Sequence, residues 1–157
     1  MTTSSSPTQR VSRIDPRGPR FGAAITTVLL IATLALGPRW GLIPLAIQTL
    51  AFIGGAVFGL AHQPWGWVYK RFVRPRLAPP AELEDEAPPR FAQAVGLFFA
   101  VLALIGGLAG VPVLFWVATA FALIAAFLNA AFDFCLGCEL YLLIGRLRRR
   151  PAGHPTA

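Results

Sequence analysis

Apolar residues in this chain run together instead of alternating with polar ones, and they do so four times: from about Phe21 to Leu36, Leu42 to Leu60, Phe91 to Leu108 and Val113 to Phe134. Uncharged runs approaching twenty residues predict helices that cross a bilayer, because a soluble domain of this size cannot hide several of them. The first run is short for a hydrocarbon core of about 30 Å. The last, at about 1.5 Å per residue, reaches just beyond that core by Phe134. Gly37-Pro38-Arg39-Trp40-Gly41 joins the first two runs and Ala109-Gly110-Val111-Pro112 the last two, so each pair reads as an antiparallel hairpin. Pro44 falls in the first turn of its helix, where a missing N–H is least costly. The pattern therefore predicts an all-α integral membrane protein: four transmembrane helices in two antiparallel hairpins, within a membrane domain spanning residues 14–147.

The connections have their own character. Residues 1–13 are polar and rich in serine and predict a disordered N-terminus. Ile14-Asp15-Pro16-Arg17-Gly18-Pro19-Arg20-Phe21 reads as a fixed turn that anchors the first helix. The long connection 61–90 opens with His62-Gln63-Pro64-Trp65-Gly66-Trp67-Val68-Tyr69, whose aromatic rings with polar handles suit a membrane interface, and an interfacial helix is expected there. It continues into an acidic segment, Glu82-Leu83-Glu84-Asp85-Glu86, set between Pro79-Pro80 and Pro88-Pro89. That segment reads as a solvated loop or as a docking surface for a basic partner or for the chain's own arginines. Residues 148–157 form a basic tail.

Composition agrees with the pattern. The chain is 55% hydrophobic and only 13% charged, with a mean hydropathy of +0.62. A net charge of +7 would suit a nucleic-acid binder, but the basic residues flank apolar runs instead of forming one folded surface, which excludes that class. Of the 14 basic residues all but Arg39 fall in the N-terminal flank, the central loop or the C-terminal tail. Basic residues mark the cytoplasmic side, so both termini and the central loop are expected there, in a bacterial inner membrane. The same residues, chiefly Arg17, Arg20, Lys70, Arg71, Arg74 and Arg76, are expected to meet anionic lipid headgroups. The polar first twenty residues do not read as a secretory signal peptide.

Candidate chemistry is concentrated in Asn129-Ala130-Ala131-Phe132-Asp133-Phe134-Cys135-Leu136-Gly137-Cys138-Glu139. Cys135 and Cys138 form a CxxC placed at the cytoplasmic interface, a spacing that can close a disulfide, carry a persulfide or supply half of a tetrahedral metal site. The only histidines are His62 and His154, too few for a metal centre, so no metal or cofactor is expected. On a continuous fourth helix the cysteines would sit at a C-terminus beside Asp133 and Glu139, which disfavours thiolate; if the helix breaks at Gly137, Cys138 starts a new helix, which favours it. In a reducing compartment the expected resting state is the dithiol. Asn129 and Asp133, spaced i, i+4, would share a helix face, and an acid near membrane depth is a functional candidate by default. Gln48, mid-run, is expected to bond between helices. Small residues such as Gly55 and Gly59 suit close helix packing and leave a homo-oligomer open.

Three blocks carry a resemblance: Ile14 to Phe21, Arg74-Pro75-Arg76-Leu77 with Glu84 to Phe91, and Phe134-Cys135-Leu136-Gly137-Cys138-Glu139. Over about Ile14 to Leu147 the chain resembles a bacterial membrane family catalogued as domain of unknown function 4395. The resemblance by name implies no activity, and the chain is not expected to be a stand-alone enzyme; the resemblance implies genes encoded near thioredoxin-like or rhodanese-like sulfur-transfer proteins, which become candidate cytoplasmic partners. Asp133 departs from the small residue expected there. Three function classes remain: a membrane-bound thiol redox or sulfur-relay partner, a structural scaffold with inert cysteines, and a small-solute transporter.

Overall fold

In the computed structural model, which describes residues 12–80 and 82–148, the elements follow in the order β1 (Arg13–Ile14), α1 (Arg17–Trp40), α2 (Leu42–Val57), α3 (Pro64–Val68), β2 (Glu84–Asp85), α4 (Ala87–Leu108), α5 (Pro112–Phe132) and α6 (Leu136–Arg148). Three of them, α1, α4 and α5, are long and apolar enough to cross a membrane. α2 is equally apolar but has 16 residues, about 24 Å of helix.

The boundaries differ from the sequence expectation for local reasons. α1 begins at Arg17, a full turn early, because Pro16 and Pro19 both accept the helical φ at its start. It kinks at Gly37, where φ is 71° and Pro38 follows. α2, expected to reach Leu60, stops at Val57 because Gly59 takes φ 93°. α4 begins at Ala87, with prolines in its first turn, instead of Phe91. α5 stops at Phe132, two residues short of expectation, and the chain starts a separate helix at Leu136.

Leu30, Leu45 and Phe115 are fully buried where α1, α2, α4 and α5 meet, with Phe52, Ala100, Ala103, Ala118 and Ala122 around them. α1 packs on α5 and α2, and α4 on α5, α2 and α6. Threonines serve as small core residues here: the hydroxyls of Thr27, Thr33, Thr49 and Thr119 each donate to the carbonyl four residues earlier, at 2.7 to 2.9 Å, so their burial leaves no orphan donor. The outward faces carry exposed Val28, Leu50, Phe98, Leu108 and Val113, an apolar surface larger than a soluble protein tolerates.

The central connection carries the expected helix, continuous over residues 64–76 but mixed in type: after a 3-10 turn (Leu60–His62) come the five-residue α3, a π-helical turn (Tyr69–Val73) and another 3-10 turn (Arg74–Arg76). It also turns inward. Gln63 and Tyr69 are only 2% and 3% exposed, and the Trp65 indole N–H donates to Gln48 Oε1 at 3.2 Å. Gln63 Nε2 donates to Gln93 Oε1 at 2.9 Å. Gly22 makes room, since a Cβ there would already touch Trp65 Cβ at 3.6 Å. Gln48 thus bonds between segments as expected, though its own Nε2 has no partner among the described residues.

Nor is the acidic segment simply solvated. Glu84–Asp85 pairs antiparallel with Arg13–Ile14, and Glu86 N–H donates to Ser12 O at 3.0 Å. Asp85 Oδ1 accepts from Ala87 N–H at 2.9 Å, capping α4. Glu86 Oε1 accepts from Leu60 N–H at 2.8 Å, while Arg90, one turn on, donates to the carbonyls of Ala56 and Val57 at 3.0 and 2.9 Å. The first turn of α4 therefore closes the C-terminus of α2, satisfying groups a helix end leaves bare. Ser12 and Arg13, expected at the edge of the disordered segment, belong to this strap; residues 1–11 of that segment and 149–157 of the basic tail, His154 included, lie outside the described residues.

Tyr69 pins the strap from below. Its hydroxyl donates to Asp15 Oδ2 at 3.0 Å, and Asp15 Oδ1 accepts from Arg17 N–H at 3.0 Å. Burial, then the bond and negative charge of Asp15, raise the Tyr69 hydroxyl above its ordinary value of 10.0, against Arg17 and Arg74. A raised folded-state value means the contribution is complete below pH 10.0 and is lost as pH climbs through the higher folded value. Tyr69→Phe is expected to destabilise the protein by about 1 kcal/mol at neutral pH and to flatten the alkaline decline, read by thermal unfolding in detergent across pH; an unchanged profile would show the contact to be idle.

Candidate functional site: a CxxC at a helix junction

The sequence between α5 and α6 makes a two-part turn. Asp133 adopts the left-handed conformation, φ 58° and ψ 26°, and closes α5. Its N–H donates to Asn129 O at 3.2 Å and Phe134 N–H to Leu128 O at 3.3 Å, the paired bonds that terminate helices at a left-handed residue. Glycine is the usual occupant, and aspartate is among the few substitutes tolerated. The small residue expected at this position by resemblance thus has a backbone reason. Asp133 does not share a helix face with Asn129, as the i, i+4 spacing had suggested, because it is outside the helix. It is exposed, and its ion pair with Arg20, at 3.9 Å, is the only one among the described residues.

Arg20 has a second role: Nε donates to Ala130 O at 3.1 Å, so it caps the last turn of α5. Asp133→Gly is expected to stabilise the chain by about 0.5–1 kcal/mol, the left-handed strain outweighing an exposed ion pair, and to leave the cysteines unchanged. Detergent melting with thiol counting checks this; a clear loss of stability would instead give the acid a structural role.

α6 then begins on the first cysteine. Cys135 O accepts the first helical bond, from Glu139 N–H at 3.0 Å, and Cys135 Sγ accepts from Cys138 N–H at 3.3 Å. The sulfur occupies the place that a serine or aspartate oxygen takes at a helix N-cap. The helix break therefore lies at Asp133 to Cys135, not at Gly137, and the alternative of a cysteine at a helix C-terminus is overturned: Cys135 caps a 13-residue helix and Cys138 lies in its first turn. Cys135 and Cys138 are joined as a disulfide, with Cα atoms 5.2 Å apart, where the sequence predicted a resting dithiol. That separation sits within the range disulfides use. Both cysteines are half-buried. Glu139, also in the first turn and exposed, sits where the helix dipole favours an acid.

Gly137 has another task. A Cβ on it would lie 2.6 Å from both Cα and Cβ of Ala92, so α6 crosses α4 with the two backbones nearly touching. Between α1, α4, α5 and α6 this leaves a cavity of about 200 Å³, lined among others by Thr26, Gln93, Phe99, Phe121, Asn129 and Cys135. Asn129 thus lines the same cavity as Cys135, while Asp133 and Glu139 do not line it.

The basic residues divide. Lys70 and Arg74, with Arg13, line a second cavity of about 210 Å³ under the strap, beside Asp15 and Tyr69. Arg17 Nη1 donates to Ala78 O at 3.0 Å, Arg76 Nη1 to Phe72 O at 3.1 Å, and the Arg71 guanidinium sits 5.5 Å from the Phe72 ring centre. Among the described residues no three His, Cys, Asp or Glu side chains cluster as a metal site requires; His62 Nδ1 is 2.9 Å from Phe58 O. Residues that sequence reasoning passed over, Gln63, Gln93, Glu86 and Arg90, form the polar joints of the bundle. The signal available for the last two was their place in the Glu84 to Phe91 block.

A helical bundle with three helices fit to cross a membrane, and a disulfide-capable CxxC at the start of a terminal helix, is compatible with a multi-pass membrane protein carrying a thiol pair. The chain belongs to the family described as domain of unknown function (DUF4395), whose model matches residues 14–146. No curated protein and no solved structure matches it.

Proposed function

We propose that this protein is a membrane-bound thiol–disulfide partner whose Cys135–Cys138 pair exchanges electrons with a dithiol protein at the cytoplasmic face of a bacterial inner membrane. The observation that carries the reading is the N-cap: Cys135 Sγ accepts the Cys138 N–H at the start of a 13-residue helix, where partial positive charge favours a sulfur anion. Half-exposure of both cysteines fits exchange better than inert packing. Few polar groups at mid-helix, chiefly Gln48, argue against a solute path.

The membrane arrangement that goes with this is four spans in two antiparallel hairpins. α2 counts as a span because it packs on both α1 and α4, and a short span is accommodated by local thinning of the bilayer. Arg20 links the start of α1 to the end of α5, and Arg90 links the start of α4 to the end of α2. One end of the bundle thus gathers the strap, the basic residues and the CxxC, and basic residues favour the cytoplasm. There Lys70, Arg71, Arg74 and Arg76 face anionic headgroups.

In the exchange, a partner thiolate attacks one sulfur of the Cys135–Cys138 disulfide, a mixed disulfide forms and the other sulfur leaves as thiolate. The partner's second thiol then resolves the mixed species, so two electrons and two protons pass to this chain and the partner leaves oxidised. The test is thiol counting by maleimide mass shift in inside-out and right-side-out vesicles poised with glutathione buffers. Reversible gain and loss of two thiols, with labelling only where the cytoplasmic face is open, is expected. Cysteines that neither label nor cycle at any poise would establish the scaffold instead.

A further inference from the structure

Cys135 of the disulfide lines a half-open cavity. Together with Leu136, Gly137 and Leu140 of α6 it forms one side of a space of about 200 Å³ whose other walls come chiefly from α1, α4 and α5. Phe99 and Phe121 stack at 5.8 Å with their planes 25° apart and form one wall. Three polar side chains face the same space: Thr26, Gln93 and Asn129. Four other core threonines spend their hydroxyls on their own helices, whereas Thr26, 3% exposed, has no such bond among the described residues. Gln93 accepts from Gln63 through Oε1, which fixes its amide so that Nε2 remains a donor. The Asn129 side chain makes no hydrogen bond among the described residues, leaving its amide N–H groups free as donors.

We propose that this cavity takes the ring of a membrane-soluble quinone and that the Cys135–Cys138 dithiol passes its electrons to it. The inference rests on the thiol reading above and adds the acceptor. A disulfide that is re-formed after each exchange needs a two-electron oxidant. The outer faces of the helices that line the cavity are apolar, which favours an oxidant that partitions into lipid. A quinone presents a flat apolar ring, matched by the phenylalanine wall, and two carbonyl oxygens, matched by unspent amide and hydroxyl donors. A lipid acyl chain would match the wall but leave those donors unsatisfied, at the cost that burial without a partner carries.

The step balances within the named groups. Two thiols lose two electrons and two protons, the S–S bond forms, and the quinone's two carbonyl oxygens take up those protons as it becomes the hydroquinone. The thiolate at Cys135, held by the Cys138 N–H, is the group nearest the cavity and is the electron donor.

The experiment uses the full chain in lipid nanodiscs, reduced and desalted, with a fully substituted decyl-tailed benzoquinone as probe, so that thiols cannot add to the ring. Thiols are counted by maleimide mass shift and hydroquinone by absorbance, with diamide as a soluble oxidant in parallel. One hydroquinone formed per disulfide is expected. Ala126→Phe, which puts a ring into the cavity, is expected to slow the quinone reaction by about tenfold or more and to leave the diamide reaction unchanged. Asn129→Leu, which removes a donor at nearly constant volume, is expected to slow it by about fivefold to tenfold; should Ala126→Phe not fold, this variant decides. Oxidation by diamide but not by the quinone, or quinone rates untouched in the folded variants, overturns the inference and leaves the thiol reading standing. Failure of both oxidants to form the disulfide overturns the two together.

Discussion

Gly137→Val unseats the CxxC helix while leaving the rest of the bundle folded. Its Cβ would lie 2.6 Å from Ala92 Cα and Cβ, and because Ala92 Cα is backbone of α4, no side-chain rotation relieves the clash. α6 must lift away, at about 1–3 kcal/mol, and the N–H of Cys138 no longer sits over a sulfur held in place by the junction. The expected result is a chain of near-native helix content whose cysteines oxidise and label differently from the native pair. Ala92→Gly in the same chain removes one of the two contacts and should restore part of the native behaviour. Native thiol reactivity in Gly137→Val would show that the α4–α6 crossing does not position the pair.

Gly106→Leu acts on the bundle itself. A Cβ there would stand 2.5 Å from Phe115 N and 3.0 Å from Leu114 C, both backbone of α5. Separating α4 from α5 opens the layer that holds Phe115 and Ala103, each 0% exposed. Overpacking plus the lost contacts are expected to cost about 3 kcal/mol or more, read as a lower unfolding temperature in detergent. Gly145→Ala is the matched control: nothing lies within 4 Å of a Cβ at that position, so its unfolding temperature should not fall, and the higher helix propensity of alanine should raise it slightly. Equal effects at both glycines would mean that helix propensity, not the crossing, is being measured.

These two glycines show how differently the fold and the site could be read from sequence. The long apolar helices were legible because uncharged runs of such length have few other uses. Gly106 and Gly137, by contrast, look alike in sequence, yet one sits at a turn-proximal helix crossing and the other inside a CxxC. Their shared meaning, two backbones in near contact, depends on which helices lie opposite.

The inward contacts of the central connection were not legible in sequence for a related reason. Its aromatic residues with polar handles suit an interface, and Trp67 is indeed exposed, but Gln63 and Trp65 are drawn inward by partners fifteen or more residues away, Gln93 and Gln48. Local amphipathicity carries no record of such partners. The acidic segment was ambiguous between solvation and docking because one of its acids, Glu86, binds the backbone N–H of Leu60, 26 residues away, a use that spacing does not reveal.

By itself the sequence determined that this chain is built from long apolar helices, that its basic residues cluster at or beyond the ends of the apolar runs, that a cysteine pair follows the last apolar run and that it belongs with its family. Those properties depend on composition and order along one dimension. Only the tertiary structure decided that Asp133 takes a left-handed turn, that the pair therefore starts a helix instead of ending one, and that Cys135 adjoins a cavity with Asn129, Gln93 and Thr26. Each is settled by what a neighbouring helix offers: carbonyls that must be capped, space that a glycine leaves, and donors that find no partner on their own strand of chain.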